Sequence, residues 1–272
     1  ISLERAVEIV ETGIIGNLTF KIANVTLTMN STKAASVILE VNVSLSVPLT
    51  ETIVDINVTS AAKIMEEAAE QNLEDTVFIL EHISSESAAR LLIEISGLPS
   101  TPKTAAKILE AMSVDKALEI VRLIIEMDAL KDLGEVLSYL SADRLNELFG
   151  ALTIDERAKL LPYLTQVTVK KISAKLLPFP DLTPSSIEPM PSEPTTGEEC
   201  KVKVTVKNIG NTNAERFHVK LEANNVEVQT LTIDGLTINE SKTLSFSWTP
   251  MQPGTYILKA IVDLGNVINE LD

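Results

Sequence analysis

The side chains of this sequence that most clearly point to chemistry are asparagines in the pattern Asn-x-Ser/Thr, the acceptor sequence for N-linked glycans. These sequons lie at Asn17, Asn24, Asn30, Asn42, Asn57 and Asn239. Every asparagine before residue 60 is in a sequon, and this density favours glycosylation over coincidence. Glycans there would imply a secreted chain with a solvent-exposed N-terminal part. The alternative is that Asn-x-Thr occurs there because it suits solvated positions of β-strands.

Oxygen-bearing side chains near the C-terminus form a candidate metal site. They are Asp263, Asn266, Asn269 and Glu270. Carboxylate and amide oxygens at short spacing suit Ca²⁺. No EF-hand pattern accompanies them, however, and the turn-forming preference of Asp and Asn explains the same residues. We therefore predict no required cofactor, and calcium remains the candidate ligand of this loop.

The usual motifs of catalysis are missing from the sequence. It contains no Gly-x-Ser-x-Gly, no Walker A motif, no Gly-x-Gly-x-x-Gly and no Cys-x-x-Cys. His82 and His218 fall on different predicted elements, and neither has partners at metal-ligand spacing. Cys200 is the single cysteine, so an internal disulfide is excluded. The sequence therefore predicts that the protein is not an enzyme.

Composition excludes several classes of partner. The chain has 272 residues, of which 45% are hydrophobic, and a formal net charge of -15. Nucleic acids and anionic membrane surfaces attract basic stripes, so this acidic charge argues against both partners. No run approaches the roughly 18 apolar residues of a membrane-spanning helix, so we predict no transmembrane segment. The hydrophobic content supports packed cores, and the length allows two or three domains.

Residues 1–59 are expected to form an N-terminal β-rich, sequon-dense segment after a short opening helix. Apart from Ile38, hydrophobic and polar residues alternate from Ala35 to Val47, which is the period of a half-buried strand. A change of parity at Ala23-Asn24 predicts a β-bulge. We interpret the segment as three antiparallel strands whose open edges could add a strand from another copy of the chain.

Residues 60–165 are predicted to form an α-helical solenoid of short helices. A recurring word of two alanines, one basic residue and two larger hydrophobic residues begins at Ala61, Ala88 and Ala105. Each word starts a stripe of apolar side chains at i, i+3, i+4 and i+7. A lone helix cannot bury such a stripe, so we expect neighbouring helices to stack and share one core.

These words resemble the helical N-terminal domain of the MgtE family of magnesium transporters, over roughly Ser60–Leu164. The resemblance implies a stack of short helices. Because the family's transmembrane and nucleotide-sensing parts have no counterpart in this sequence, it does not imply transport. The alternative is a solenoid that serves only as a spacer. In either case Leu109 is expected in the core and Glu110 in solvent, where its removal would change stability little.

Residues 166–180 are predicted to form a proline-rich linker, and residues 181–272 a β-sandwich. In the second range, short runs of alternating hydrophobic and polar residues, such as Val202 to Val206, are separated by Asn- and Gly-rich turn signals. About seven short strands in such a length are typical of an immunoglobulin-like sandwich. Trp248 is expected in its core.

Several motifs within residues 181–272 are shared with one family. They are Asp181-Leu182, Asn208-x-Gly210, Ser247-Trp248-Thr249-Pro250, Gly254-Thr255-Tyr256, and Val262-Asp263 followed by Asn266-Val267-Ile268-Asn269-Glu270. With them, this part of the chain resembles the CARDB family, the cell-adhesion-related domain of bacterial and archaeal surface proteins. The resemblance implies an adhesive or spacer module. Because the family's pattern usually continues further, and because the chain begins with Ile1, we expect a processed or excised piece.

These features predict a multidomain α+β chain: an N-terminal antiparallel β segment, a central α-helical solenoid and a C-terminal Ig-like β-sandwich. We expect it to be a structural component of a glycosylated extracellular assembly at the cell surface, such as an archaeal surface layer (S-layer), stalk or filament. The expected partners are other copies of the chain, other surface proteins and N-glycans. The alternative is a ligand- or carbohydrate-binding adhesion module of a larger extracellular enzyme or adhesin.

Overall fold

A computed structural model describes residues 2–15, 18–98, 102–268 and 270 of the chain. The chain divides into two compact units, Ile1–Ser173 and Ala174–Asp272. The first unit is built from helices and the second from antiparallel strands. Within the described ranges, no helix is both long and apolar enough to cross a lipid bilayer.

Short α-helices follow one another through the first unit. Their bounds are α1 (Leu3–Ile15), α2 (Thr19–Leu27), α3 (Ser31–Glu40), α4 (Val43–Ile56), α5 (Val58–Gln71), α6 (Leu73–His82), α7 (Ser85–Ser96), α8 (Pro102–Ala111), α9 (Val114–Glu126), α10 (Leu130–Ser138), α11 (Ala142–Ala151), α12 (Ile154–Leu160) and α13 (Gln166–Val169). A 3₁₀ turn, Leu161–Tyr163, follows α12.

These helices form two layers. Each odd-numbered helix from α1 to α9 packs on the next odd-numbered helix, and each even-numbered helix from α2 to α10 packs on the next even-numbered one. The odd-numbered helices from α1 to α11 begin at residues 3, 31, 58, 85, 114 and 142, so the repeat is 27 to 29 residues long. The apolar stripes meet between the layers, where Leu91 and Ile95 of α7 are completely buried. The predicted array of short helices is therefore confirmed, and it also includes the N-terminal residues.

The β-strands predicted within residues 1–59 are wrong, because helices α1 to α4 occupy that segment. In α3 the buried residues are Ala34, Ala35, Val37 and Ile38, a spacing that matches one face of a helix. The alternating pattern that suggested a strand ran through the end of α3 and the start of α4. The expected β-bulge at Ala23-Asn24 lies within α2, and the expected domain boundary after residue 59 falls within α5. The described residues of this segment therefore contain no sheet edge that could add a strand.

The segment 166–180, expected to be an extended linker, begins as part of the helical unit. The Thr165 hydroxyl accepts a hydrogen bond from the backbone N–H of Thr168 at 3.2 Å and so caps α13. Lys171 then donates to the carbonyl oxygens of Ser138 and Leu140, at 2.9 and 3.0 Å. These contacts hold the segment on the end of α10, and the boundary between the units follows Ser173.

The second unit is a β-sandwich. Its strands are β1 (Leu182–Met190), β2 (Cys200–Asn208), β3 (Phe217–Ala223), β4 (Val226–Ile233), β5 (Ser241–Trp248) and β6 (Leu258–Val262), after a 3₁₀ turn at Ala174–Leu176. They pair antiparallel in two sheets, with strand orders β1-β2-β5 and β4-β3-β6. Inward-facing side chains of both sheets form one core, which includes Val204 and Phe246 from the first sheet and Val219 from the second. The predicted C-terminal sandwich is thus confirmed.

Candidate functional site

The predicted glycosylation sites are exposed wherever the structure describes them. Asn24, Asn30, Asn42, Asn57 and Asn239 are all exposed to solvent. Asn17 lies outside the described residues. A glycan needs an exposed asparagine, but exposure alone does not show that a glycan is attached. Glycosylation at these positions therefore stays a prediction.

Three of these asparagines begin helices. Asn30, Asn42 and Asn57 are the N-cap residues of α3, α4 and α5, and each side-chain oxygen accepts a backbone N–H of the first turn at 2.8 to 3.0 Å. Asparagine is among the preferred N-cap residues because its oxygen satisfies an amide that the helix leaves unpaired. Asn72 caps α6 in the same way without being in a sequon. Capping therefore supplies a physical reason for the recurrence of asparagine in this segment.

Asn24 differs from these caps because it lies within α2. Its Nδ2 donates to the carbonyl oxygen of Phe20 at 2.9 Å. The hydroxyl of Thr26, the third residue of its sequon, is buried and donates to the carbonyl oxygen of Ile22 at 2.9 Å. In the folded chain both sequon groups at this position are already engaged.

Two of the candidate calcium residues, Asp263 and Glu270, accept hydrogen bonds from the backbone. The two carboxylate oxygens of Asp263 accept the backbone N–H groups of Val267 and Ile268, at 3.1 and 2.9 Å. Glu270 accepts the backbone N–H of Leu182 at 3.2 Å. Asn266 has a positive φ of 51° on the same turn, while Asn269 lies outside the described residues. The contacts of Asp263 are the turn chemistry that the sequence offered as the alternative to calcium.

The remaining reactive side chains each have local contacts of another kind. His82 stacks on Phe78 at 4.0 Å between ring centroids, and His218 contacts the hydroxyl of Thr232 at 3.0 Å. Cys200 is buried in the sandwich core. In the described ranges of the chain, no group of three or more His, Cys, Asp or Glu side chains could hold a metal ion.

Sequence reasoning missed a recurring contact between helical repeats, which we name the glutamate ladder. In each case a glutamate carboxylate accepts the backbone N–H of the N-cap residue that begins the third helix further along. The pairs are Glu11 with Asn42, Glu51 with Ser84, Glu81 with Ser113, and Glu110 with Ser141, at N···O distances of 2.9, 3.1, 2.6 and 3.0 Å. A carboxylate at a helix N-terminus also interacts favourably with the helix dipole.

Cationic side chains make the complementary contacts at helix C-termini. Lys116, Arg144 and Lys171 each donate to carbonyl oxygens at the end of an earlier helix. Arg144 is 7% exposed, and its Nη2 reaches the carbonyl oxygens of Leu109 and Met112, at 3.0 and 2.8 Å. Because unpaired carbonyls at a helix end need donors, these contacts satisfy groups that the helices leave open.

In the sandwich, Asn208 holds two loops together. It is fully buried, and its Nδ2 donates to the carbonyl oxygens of Thr212 and Leu236, at 2.8 and 3.1 Å. Its Oδ1 accepts the backbone N–H groups of Asp181 and Gly210, at 3.1 and 3.0 Å. A Cβ atom at Gly210 would lie 2.4 Å from the backbone nitrogen of Asp181, so only glycine fits beside this amide. The motif Asn208-x-Gly210 is thus a loop clamp.

Comparison with known families decides what this second unit is. The CARDB family model matches residues 179–272. These residues belong to the CARDB family. The Asn208 clamp and the motif residues Asp181 and Asp263 are therefore parts of a CARDB domain.

Two solved structures of a CARDB domain are similar to this one, and both come from the PF1109 protein of Pyrococcus furiosus. The first is a crystal structure in complex with di-metal ions, with 33% sequence identity to this chain. The match covers 35% of this chain and 78% of the Pyrococcus furiosus chain, with a TM-score of 0.30. The solution NMR structure is 32% identical, with 35% and 84% covered and a TM-score of 0.29.

A third solved structure spans most of this chain. It is Pseudomonas fluorescens alkylpurine DNA glycosylase AlkC bound to DNA containing an abasic site analog, 12% identical. The match covers 91% of this chain and 77% of the other chain, with a TM-score of 0.31. Among curated proteins, none matches the chain.

Proposed function

We propose that this chain is a structural component of an extracellular, cell-adhesion-related assembly, such as a surface layer, stalk or filament. The observation that carries the proposal is the CARDB domain at residues 179–272. The family's adhesive and spacer modules work through protein–protein contacts, and the proposed partners are other copies of the chain or other surface proteins. The relatives from Pyrococcus furiosus are in keeping with an archaeal source.

The helical unit supports a mechanical role. Successive repeats share an apolar core, and the glutamate ladder adds a polar contact from one repeat to another. In an array of this kind each repeat is stabilised by its contacts with neighbouring repeats. A stack of repeats with a shared core suits a spacer or a scaffold, and we propose that the chain is not an enzyme. The resemblance of this unit to the MgtE helical domain stays a prediction.

Glycosylation is part of the proposal. The exposure of Asn30, Asn42 and Asn57 supports it, because a glycan needs access to solvent. Metal binding is not part of it. The candidate carboxylate of Asp263 is engaged by backbone N–H groups, although a relative was crystallised with di-metal ions.

Surface labelling and cross-linking of source cells test the proposal together. We expect an antibody against the chain to label intact cells. We also expect cross-linking mass spectrometry to join the chain to further copies or to another surface protein. Labelling that requires permeabilised cells would contradict the proposed location, and surface labelling with only intramolecular cross-links would contradict the proposed assembly.

A further inference from the structure

One end of the CARDB domain contains a cavity of about 340 Å³. It lies between the segment that follows β1 and the loop that follows β5. Trp248 and Tyr256 contribute its aromatic surface, and Ser192, Thr196 and Gln252 contribute polar side chains. Its size is at the lower end of the roughly 300–1,000 Å³ range of small-molecule sites.

The aromatic wall is unusual for this chain. Only 4% of the residues are aromatic and Trp248 is the single tryptophan, yet Trp248 meets Tyr256 edge to face with 5.0 Å between ring centroids. Trp248 was expected in the core. The structure places it at the core's edge, half-buried, with one side against the core and another on the cavity. Among the described residues its indole nitrogen has no hydrogen-bond partner and is not buried, so this donor is open to solvent or a ligand.

The polar wall is uncharged. Among the described residues that line the cavity, none is Asp, Glu, Lys, Arg or His, although 22% of the chain is charged. The hydroxyls of Ser192 and Thr196 and the amide of Gln252 can each donate and accept hydrogen bonds. An ionic ligand would therefore find no counter-charge among the lining side chains. The lining therefore selects a neutral ligand rich in hydrogen-bonding groups.

The cavity is also held in shape. The Tyr256 hydroxyl donates to the carbonyl oxygen of Gln252 at 2.8 Å and accepts its backbone N–H at 3.2 Å. The backbone N–H of Gly197 donates to the carbonyl oxygen of Pro250 at 2.9 Å, which joins the two segments that border the cavity. A site formed before the ligand arrives loses less entropy on binding.

We propose that this cavity binds a neutral saccharide of one or two sugar rings. A sugar presents an apolar C–H face, which suits the aromatic wall, and hydroxyl groups, which suit the uncharged polar wall. A proline-rich peptide also uses aromatic grooves, but the Tyr256 hydroxyl is occupied within its own loop. This site goes beyond the proposed structural role and does not depend on it.

Titration of the full chain with neutral disaccharides tests the site. Because Trp248 is the only tryptophan in the sequence, tryptophan fluorescence emission reports on this cavity. The probes are cellobiose, maltose and N,N′-diacetylchitobiose, with glucuronic acid as the charged comparison. We expect saturable emission and amide NMR shifts with at least one neutral probe and none with glucuronic acid. Gln252→Ala and Thr196→Ala should each weaken binding by about fivefold, the equivalent of one lost hydrogen bond.

Gln166→Ala is the matched control, since Gln166 is an exposed glutamine of the helical unit. It should bind like the parent chain, and thermal unfolding should verify that all variants are folded. The proposal is overturned if every neutral probe leaves both emission and amide shifts unchanged at about 10 mM, which would mostly fill a site with a Kd of about 1 mM. It is equally overturned if binding survives both cavity substitutions unchanged. Shifts caused by an oligoproline peptide but by no sugar would assign the cavity to peptides instead.

Discussion

The carboxylate of Glu110 accepts two hydrogen bonds from Ser141, one from the backbone N–H at 3.0 Å and one from the hydroxyl at 2.6 Å. Ser141 is the N-cap of α11, and its hydroxyl also accepts the backbone N–H of Arg144 at 3.1 Å. One repeat therefore completes the helix start of a later repeat. Because three further glutamates make the same backbone contact, this relationship is a structural rule of the helical unit.

Glu110→Ala should destabilise the helical unit by about 1 kcal/mol, since it removes charge-assisted hydrogen bonds at a helix N-terminus. The sequence alone predicted a near-neutral change, because it could not reveal the contact with Ser141. Glu119→Ala is the control: Glu119 is exposed on α9, and its loss should stay within about 0.5 kcal/mol. Urea denaturation followed by circular dichroism measures both. Equal effects of the two substitutions would show that the ladder contributes nothing.

Leu109→Ala should cost about 2–5 kcal/mol, because it leaves a cavity in the core between the helix layers. Leu109 is 1% exposed, whereas its neighbour Lys107 is exposed on the same helix. Lys107→Ala should therefore change the free energy of unfolding by no more than about 0.5 kcal/mol. The same denaturation experiment decides, and a small loss for Leu109→Ala would contradict the observed core.

Arg144→Met should destabilise the helical unit by about 1–3 kcal/mol, because it leaves the buried carbonyl oxygens of Leu109 and Met112 without their donor. Arg144→Lys should recover only part of this loss, since an ammonium group cannot reproduce the fork of the guanidinium. Arg90→Met is the control. Arg90 is half-exposed, and its Nη1 lies 3.9 Å from Oδ1 of Asp55. Its loss should stay below about 1 kcal/mol. A lysine variant as stable as the parent would contradict the role of the fork.

How far the sequence predicts this fold depends on its local patterns. In α5 the stripe Ala61, Ile64, Met65 and Ala68 is buried as its spacing indicates. In α3 and α4 the chain is rich in valine and isoleucine, whose β-branched side chains favour strands. There the alternating pattern runs across the boundary between α3 and α4. It is more regular than the helical spacing of the buried residues, so it suggested a strand. Ile38 was the informative residue, since it broke the polar side of the supposed strand and is buried in the helix.

The candidate site shows a similar division between local and long-range information. Capping by Thr153 and Glu156 follows from a local motif, and both of its hydrogen bonds are present. The contact of Glu110 with Ser141 joins residues 31 positions apart, so it requires the stacking of repeats that only the structure gives. The cavity beside Trp248 likewise depends on two loops that meet in space. The sequence shows which residues the two loops contain, but it does not show that the loops lie side by side.

Glu240 should titrate below the ordinary glutamate range. Hydrogen bonds from the backbone N–H and hydroxyl of Thr237, both 2.8 Å, lower its pKa from 4.5. Because the folded-state pKa is depressed, the stabilising effect of this carboxylate is present above pH 4.5 and is lost as the pH falls through the folded-state pKa. The Thr237 amide proton should therefore shift with a midpoint below 4.5 in an NMR titration. Glu240→Gln should abolish that shift and Glu215→Gln should not; a midpoint at or above 4.5 would contradict the contact.

Asn57 allows the capping and glycosylation roles of a sequon to be separated. Its side-chain oxygen accepts the backbone N–H of Ser60 at 2.9 Å, so Asn57→Asp keeps the cap and removes the sequon, whereas Asn57→Ala removes both. In unglycosylated protein, Asn57→Ala should cost about 1 kcal/mol and Asn57→Asp close to nothing. In protein from the source cells, both variants should lose the mass of one glycan.

Asn72 is the matched control, because it caps α6 with a 3.2 Å bond to the backbone N–H of Asp75 and is not in a sequon. Asn72→Ala should destabilise the chain like Asn57→Ala, with no change of glycan mass. If neither Asn57 variant changes the glycan mass, capping alone explains this asparagine. The sequon at Asn57 would then no longer support a glycosylated surface. If Asn57→Ala leaves unglycosylated protein as stable as Asn57→Asp, the cap is not the reason for the asparagine, and selection for the sequon becomes the stronger explanation.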